Sequence, residues 1–408
     1  MGINPRRSLG VGATVPGTTC GAMPVHDSPS GPRNTGALRE VAEVFLKLGL
    51  IGFGGPAATI ALMRDEVVAR RKWLTDAEFL DLVGASNLIP GPTATEMAIF
   101  LGYARGGWRA LILAGALFLL PAVVLVLAIA WAYVRYGSAP EATWLLYGIK
   151  PVIIAVVVQA LWGLTKAAAK GPFLVAVGIA VGALYFLGVS PVTVMIGGAL
   201  VVLVVENATR LHASLTSGLA LPGSGLSLAA AAVPYSPWVL FVTFLKIGVV
   251  LFGGGYVLLA FLHADFVDHL GWLTDRQLID AVAVGQFTPG PLFTTATFVG
   301  YVVGGLPGAI VATVAIFLPS FVIAALVFPL VPRLRHSPWL CAFLDGANAS
   351  ALGLMAAVTW QLARAAIVDG FSLVLALLAA LVLLRFKPNP AWLVLGGGVL
   401  GVLYRLVA

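Results

Sequence analysis

Phe252-Gly253-Gly254-Gly255 opens, and Thr288-Pro289-Gly290-Pro291 closes, a stretch set in long apolar surroundings. Glycine and proline at two points of a hydrophobic segment free backbone groups that lipid cannot satisfy, so they are costly unless those groups bind something. The same plan stands earlier as Phe53-Gly54-Gly55-Pro56 and Pro90-Gly91-Pro92. Around these motifs Lys246, Gly248 and Phe252 repeat Lys47, Gly49 and Phe53, and Trp272-Leu273-Thr274-Asp275 repeats Trp73-Leu74-Thr75-Asp76. Asp280 repeats Asp81. After a one-residue deletion Gly300-Tyr301 matches Gly102-Tyr103, Pro319 matches Pro121 and Trp360 matches Trp162. Composition bias aligns leucines, but not Lys, Trp, Thr-Asp and Pro-Gly-Pro in one register. The chain is an internal duplication.

The 408 residues are 60% apolar and 10% charged, with a mean hydropathy of +1.00. A soluble domain carries about 25% charged residues, so this chain reads as an all-α polytopic membrane protein. The net charge of +7 suits loops facing the cytoplasm and anionic lipid, and gives no support to nucleic-acid binding. Cys20 and Cys341 are isolated and the five histidines scattered, which suggests neither a disulfide framework nor a metal site. No phosphate loop, His-Glu-x-x-His or nucleophile with an adjacent base is present, so no enzyme and no cofactor is expected.

Residues 1–36 read as a disordered tail. Arg6-Arg7-Ser8-Leu9-Gly10 is not followed by the apolar core of a signal peptide. A first repeat over 37–206, a linker over 207–236 and a second repeat over 237–408 follow. Thr75 with Glu78, and Thr274 with Gln277, form capping boxes that start helices. The first of these helices should end near Ile89, and a new one should run from Pro92 to about Tyr103. Each piece spans about 14 residues, or about 21 Å, too short for a core of about 30 Å. These are broken elements with an irregular turn at membrane depth. Longer segments are expected at 109–134, 143–165, 172–188 and 191–206.

Loop charges set the orientation. The loop at 64–72 holds Arg64, Arg70, Arg71 and Lys72, whereas 263–271 holds Asp265 and Asp268 without Lys or Arg. Arg105 and Arg109 face an uncharged 304–308, and the bias reverses where Arg135 and Glu141 correspond to Arg333, Arg335 and His336. Corresponding loops therefore lie on opposite sides, which predicts inverted repeats with the Pro-Gly-Pro element entering and returning as a hairpin. A single crossing by 41–63 would put the N-terminus outside, against Arg33, Arg39 and Lys47, and the number of crossings stays open.

Broken helix ends present N–H groups and a positive partial charge, which favour anions. The candidate substrate residues are therefore Gly54, Gly55, Asn87, Pro90, Gly91, Pro92, Thr93 and Thr95, with Gly253, Gly254, Gln286, Pro289, Gly290, Pro291, Thr294 and Thr295. Lys47 and Lys246 join them as sources of charge, with snorkelling to the interface as the alternative. Asn87 and Gln286 either orient a ligand or cap carbonyls. Glu96 is a carboxylate in an apolar helix, expensive when charged, and suits proton exchange; the bland alternative is a Glu satisfied by Thr or by Asn87. Asp76, Asp81, Asp275 and Asp280 are assigned to caps and the membrane surface.

Phe53-Gly54-Gly55-Pro56, the Arg70–Trp73 run, Ile89-Pro90-Gly91-Pro92, Phe252-Gly253-Gly254-Gly255-Tyr256 and Gln286–Pro291 closely resemble the chromate ion transporter family in its long, two-domain form. The resemblance covers nearly everything from 41 to 408. It implies an inner-membrane exporter of chromate, driven by the proton gradient, with two homologous domains in opposite orientation. The implied partners are chromate or a similar oxyanion and the lipid bilayer, with a homodimer allowed. Glu96 stands where many relatives carry a different polar residue, so its coupling role rests on its chemistry alone. A carrier of sulfate or another tetrahedral oxyanion is the alternative within transport, and a non-transporting scaffold the alternative outside it.

Overall fold

The computed structural model describes residues 36–52, 55–87, 89–137, 139–168, 170–207, 234–252, 255–328, 337–386 and 388–407. The expected tail, most of the linker, Gly54, Gly253, Gly254, Arg333, Arg335 and His336 lie outside them. Among the described residues there is no strand. Seven of the described α-helices carry proline at their first or second residue, where its missing N–H costs nothing.

The first repeat opens with α1 (Gly36–Ile51) and α2 (Gly55–Arg64), separated by the Phe-Gly-Gly break and followed by a π-turn over Asp65–Arg70. This pair does not cross the membrane. Lys47 Nζ meets Glu66 at 2.7 Å and Glu40 meets Arg71 at 3.1 Å, so the chain returns beside its own start. A second hairpin follows. α3 (Asp76–Ser86) starts at the predicted Thr75–Glu78 capping box and runs to the Pro-Gly-Pro turn, and α4 (Thr93–Tyr136) leads back. Arg105 then reaches the same Glu40 at 2.7 Å and lies 5.5 Å from the Trp73 ring centre. Both hairpins therefore have their open ends on one face and their tips at depth. The start of α1 shares that face with the 64–72 loop, as Arg39 and Lys47 require. The conflict over 41–63 disappears because that segment is re-entrant.

At Gly106 and Gly107 α4 folds back on itself, with Gly107 at φ 71°, ψ −155°, torsions that L side chains seldom adopt. Beyond this turn its long leg crosses the membrane. The second repeat has the same turn at Gly304 and Gly305, in α11 (Thr295–Val327). There the Thr297 and Thr313 hydroxyls meet at 2.7 Å across the two legs. Before α11 come α8 (Pro237–Val250), α9 (Leu258–Leu262), a π-turn over His263–His269, and α10 (Asp275–Phe287), whose capping box joins Thr274 and Gln277.

The two repeats run in opposite directions. Tyr103, beside the glycine turn of α4, packs 4.5 Å from Phe328, at the far end of α11. Conversely Tyr133, at the far end of α4, packs 5.1 Å from Phe298 and donates to Asp280 at 3.0 Å. Each repeat's turn thus lies level with the other's far end, as loop charge predicted.

The remaining helices are α5 (Pro140–Ala168), α6 (Pro172–Phe186), α7 (Pro191–Glu206), α12 (Pro338–Ala366), α13 (Gly370–Phe386) and α14 (Pro390–Val407). Their packing is exchanged between repeats: α5 lies against α13 and α14, and α12 against α6 and α7. The approach is close, since a β-carbon on Gly148 would run into the backbone of Gly397 and Gly401. Five described segments are long and apolar enough to cross a membrane: α4, most of α5, α11 with its preceding turn, α12 and α14.

Candidate functional site

The helix breaks of the two repeats meet tip to tip. The Gly91 amide donates to the Leu251 carbonyl at 3.0 Å, and the Gly290 amide donates to the Gly52 carbonyl at 3.1 Å. Each Pro-Gly-Pro turn is thereby fastened to the Phe-Gly-Gly break of the other repeat. The bonds answer the question posed by breaks at depth: part of the freed backbone of each repeat is satisfied by the other. These two amides are thereby not free to face an anion.

Beside this junction lies a set of buried polar side chains. Glu96 is fully buried one turn into α4, and both its carboxylate oxygens lack a hydrogen-bond partner among the described residues. The same holds for Thr95 Oγ1, Thr295 Oγ1, Ser320 Oγ and Gln286 Nε2. A buried group without a partner carries a desolvation cost of about 1–3 kcal/mol, more when charged, so such a cluster at a repeat interface marks a place where something polar is bound. Asn87 is exposed at the end of α3, so the bland alternative for Glu96, satisfaction by that side chain, does not hold.

Of the other sequence-predicted residues, Pro90, Gly91, Pro92, Pro289 and Pro291 are buried at the junction, while Gly290 and Thr93 are half-buried there. Thr294 is fully buried and its hydroxyl donates to the Pro291 carbonyl at 3.0 Å. Gln286 accepts a 3.4 Å hydrogen bond from Tyr256. Gly55 is exposed at the start of α2, with open space around it.

Lys47 and Lys246 have carboxylate partners near the open ends of their hairpins. Lys47 pairs with Glu66, and Lys246 pairs with Asp265 at 2.6 Å. The two pairs are quasi-equivalent but electrostatically different. The hydrogen bond from Lys47, aided by Arg71, holds Glu66 below the usual carboxylate range. Burial pushes Asp265 above it despite Lys246. A similar exchange separates Arg64, paired with Asp76 at 2.7 Å, from His263, which stands at the matching position between Asp268 (3.0 Å) and Asp275 (2.9 Å). Burial alone would lower the His263 pKa, but its two carboxylate partners outweigh burial and raise it.

Asp280 corrects the sequence reading. It is buried rather than at the surface, accepts from Tyr133 and pairs with Lys150 at 3.3 Å. Lys150 and Ser320 were both missed. A lone lysine inside the apolar 143–165 segment was a signal for the first, since an intramembrane charge seeks a partner. Ser320 gave no signal, because serine is common in membrane helices and only the fold aims it at the junction.

This architecture, two inverted repeats whose broken helices meet at depth beside unpartnered polar groups, is that of a membrane transporter. The sequence profile described as "Chromate transporter" matches residues 39–203 and again 238–402. The chain is 33% identical over 390 residues to the chromate transport protein of Cupriavidus metallidurans, covering 94% of this chain and 96% of that one. It is 33% identical over 381 residues to the chromate transport protein of Pseudomonas aeruginosa, covering 88% and 90%. With the probable chromate transport protein of Synechococcus elongatus the identity is 30% over 348 residues, covering 82% and 86%. No solved structure matches. The chain belongs to the chromate transporter family.

Proposed function

We propose that this protein exports chromate across the inner membrane, driven by the proton gradient, and so confers chromate resistance. The observation that carries the reading is the tip-to-tip junction with the unpartnered Glu96 carboxylate beside it. Chromate is a tetrahedral dianion, and losing its water requires several donors at once. The helical legs beginning after Pro92 and Pro291 supply N–H groups and positive partial charge, with Thr93, Thr95 and Thr295 as hydroxyl donors, the Thr294 hydroxyl being already given to the Pro291 carbonyl. Glu96 takes and releases the proton. Export suits the charge distribution, because Arg64, Arg70, Arg71, Lys72, Arg105 and Arg109 gather at the face that loop charge assigns to the cytoplasm. Such a field concentrates a dianion at the entrance.

The test is uptake of labelled chromate into everted vesicles, with and without a proton gradient, with sulfate as competitor. Wild type accumulates chromate only with the gradient, and Glu96→Gln stays in the membrane but flattens the pH dependence. Uptake that ignores the gradient overturns the coupling, and preferred transport of sulfate overturns the substrate. Wild-type pH dependence in Glu96→Gln returns Glu96 to a packing role.

A further inference from the structure

We propose that the coupling site holds one monovalent cation, proton or sodium, and that Ser320 of the second repeat completes it together with Glu96 of the first. This rests on the reading of Glu96 as the coupling carboxylate. Glu96 Oε1 and Ser320 Oγ each lie 2.5 Å from the point where a β-carbon on Gly91 would sit. Both therefore border the space left by the missing side chain of Gly91, no more than about 5 Å from one another. Together with Glu96 Oε2 they make three buried oxygens lacking a hydrogen-bond partner among the described residues. Glu96 and Ser320 are both fully buried. Among the described residues no ion pair or hydrogen bond reaches Glu96 from the helices packed on α4, which include α1, α2, α3, α10 and α11. An all-oxygen group with one carboxylate and no cationic neighbour suits a small hard cation, which neutralises the carboxylate and occupies the hydroxyl.

The site is one-sided in an otherwise two-fold scaffold. At the matching place Gly290 faces Ala122, whose β-carbon lies 2.9 Å from where its own would be, and Ala122 occupies the position of Ser320. Counted from the Pro-Gly-Pro turns, Glu96 is matched by Thr295, a hydroxyl in place of the carboxylate, and Thr95 by Thr294, already bonded to Pro291. One repeat interface thus carries a carboxylate, and the other, where the Thr295 hydroxyl lacks a partner among the described residues, carries none. The chain accordingly binds one coupling cation at this level, with ligands from both repeats.

The experiment measures chromate flux in everted vesicles for wild type, Glu96→Gln, Ser320→Ala and Ser320→Thr. Protons are varied at fixed sodium, then sodium at fixed pH, with membrane abundance checked throughout. Losing one ligand to a charged group weakens cation affinity about tenfold, so Ser320→Ala half-saturates at about tenfold higher cation concentration. Its half-saturation for chromate stays that of wild type, and Ser320→Thr restores cation dependence. Should Ser320→Ala fail to reach the membrane, Ser320→Cys, which keeps the size but not the oxygen, carries the same expectation. A shift in the proton arm identifies the cation as a proton and a shift in the sodium arm as sodium; either supports the site. Wild-type cation dependence in Ser320→Ala or Ser320→Cys, while Glu96→Gln flattens it, overturns the role of Ser320 and leaves Glu96 standing. No effect of Glu96→Gln overturns both.

Discussion

The Gly91 amide lies 3.0 Å from the Leu251 carbonyl, a hydrogen bond between a turn in one repeat and a helix break in the other. With its counterpart from Gly290 to Gly52 it makes the centre of the molecule a reciprocal exchange of backbone bonds rather than a side-chain interface.

The glycines at this exchange should not tolerate a side chain. Gly91 has φ +138° and Gly290 φ +93°, conformations that L residues seldom adopt. A β-carbon at Gly91 would also strike the Glu96 carboxylate and the Ser320 hydroxyl, whereas at Gly290 it meets only the Ala122 methyl, at 2.9 Å. We therefore expect Gly91→Ala to lower chromate flux about tenfold or more, with Gly290→Ala less affected, a strain of about 1–2 kcal/mol being common to both. Flux per copy of membrane-inserted protein decides it. Equal and full activity in both variants would mean that the turns adapt.

His263 gives a pH dependence of stability. Its pKa is raised in the folded protein, so the stabilisation from Asp268 and Asp275 is fully present below the ordinary histidine value of about 6.5. It is lost as pH rises through the folded value. Thermal unfolding of detergent-purified protein should therefore show a fall in Tm above neutral pH that His263→Arg removes. That variant restores the arginine of the first repeat at Arg64, so a permanent charge keeps the pair with Asp275. A Tm profile identical in both proteins would show that the cluster titrates without consequence.

Lys150 and Asp280 form a pair whose side chains are 16% and 3% exposed, between α5 of the first repeat and α10 of the second. Removing one partner strands a buried charge, which costs about 3–5 kcal/mol, while removing both costs less. Lys150→Met and Asp280→Asn should each lower thermal stability sharply, and the double variant should recover much of the loss. Additive losses would show that the two charges do not act as a pair.

Opposite orientation is open to chemical labelling. Ala69 and His269 are exposed on the two π-turns, and His269 leaves the His263 partners intact. In a background lacking Cys20 and Cys341, cysteines at these positions should react with an impermeant thiol reagent from opposite sides. Labelling from one side would be incompatible with antiparallel α4 and α11.

The duplication, the broken helices and the inversion were legible because each leaves a local or repeated mark. Capping boxes at Thr75 and Thr274, prolines at the breaks, and arginines in one loop but not its counterpart are such marks. The re-entrant path of α1 and α2 was hidden. A hairpin of two short apolar helices has the composition of a single crossing, and only the pairing of Lys47 with Glu66 distinguishes them. The site was legible in part. Glu96 and the Pro-Gly-Pro residues announced themselves by cost, whereas Ser320 gains its meaning from Gly91, far away in sequence. Asp280 was misplaced because Asp81, its match, suggested a surface role, and nothing local revealed that Lys150 would meet only one of the two.

The exchanged packing of α5, α12 and their partners bears on biogenesis. When α5 leaves the ribosome its Gly148 face has no neighbour, because the glycines it packs against, Gly397 and Gly401, are made about 250 residues later. Likewise α6 presents Gly178 to the bilayer until Gly353 arrives. The first half therefore waits in lipid as an incomplete assembly, and its core closes only once the second repeat has been made. Contacts of such long sequence separation close slowly. The arrival of α13 and α14 is thus the step that closes the packing on α5, and a truncation removing them would leave α5 without its cover rather than merely shorten the second repeat.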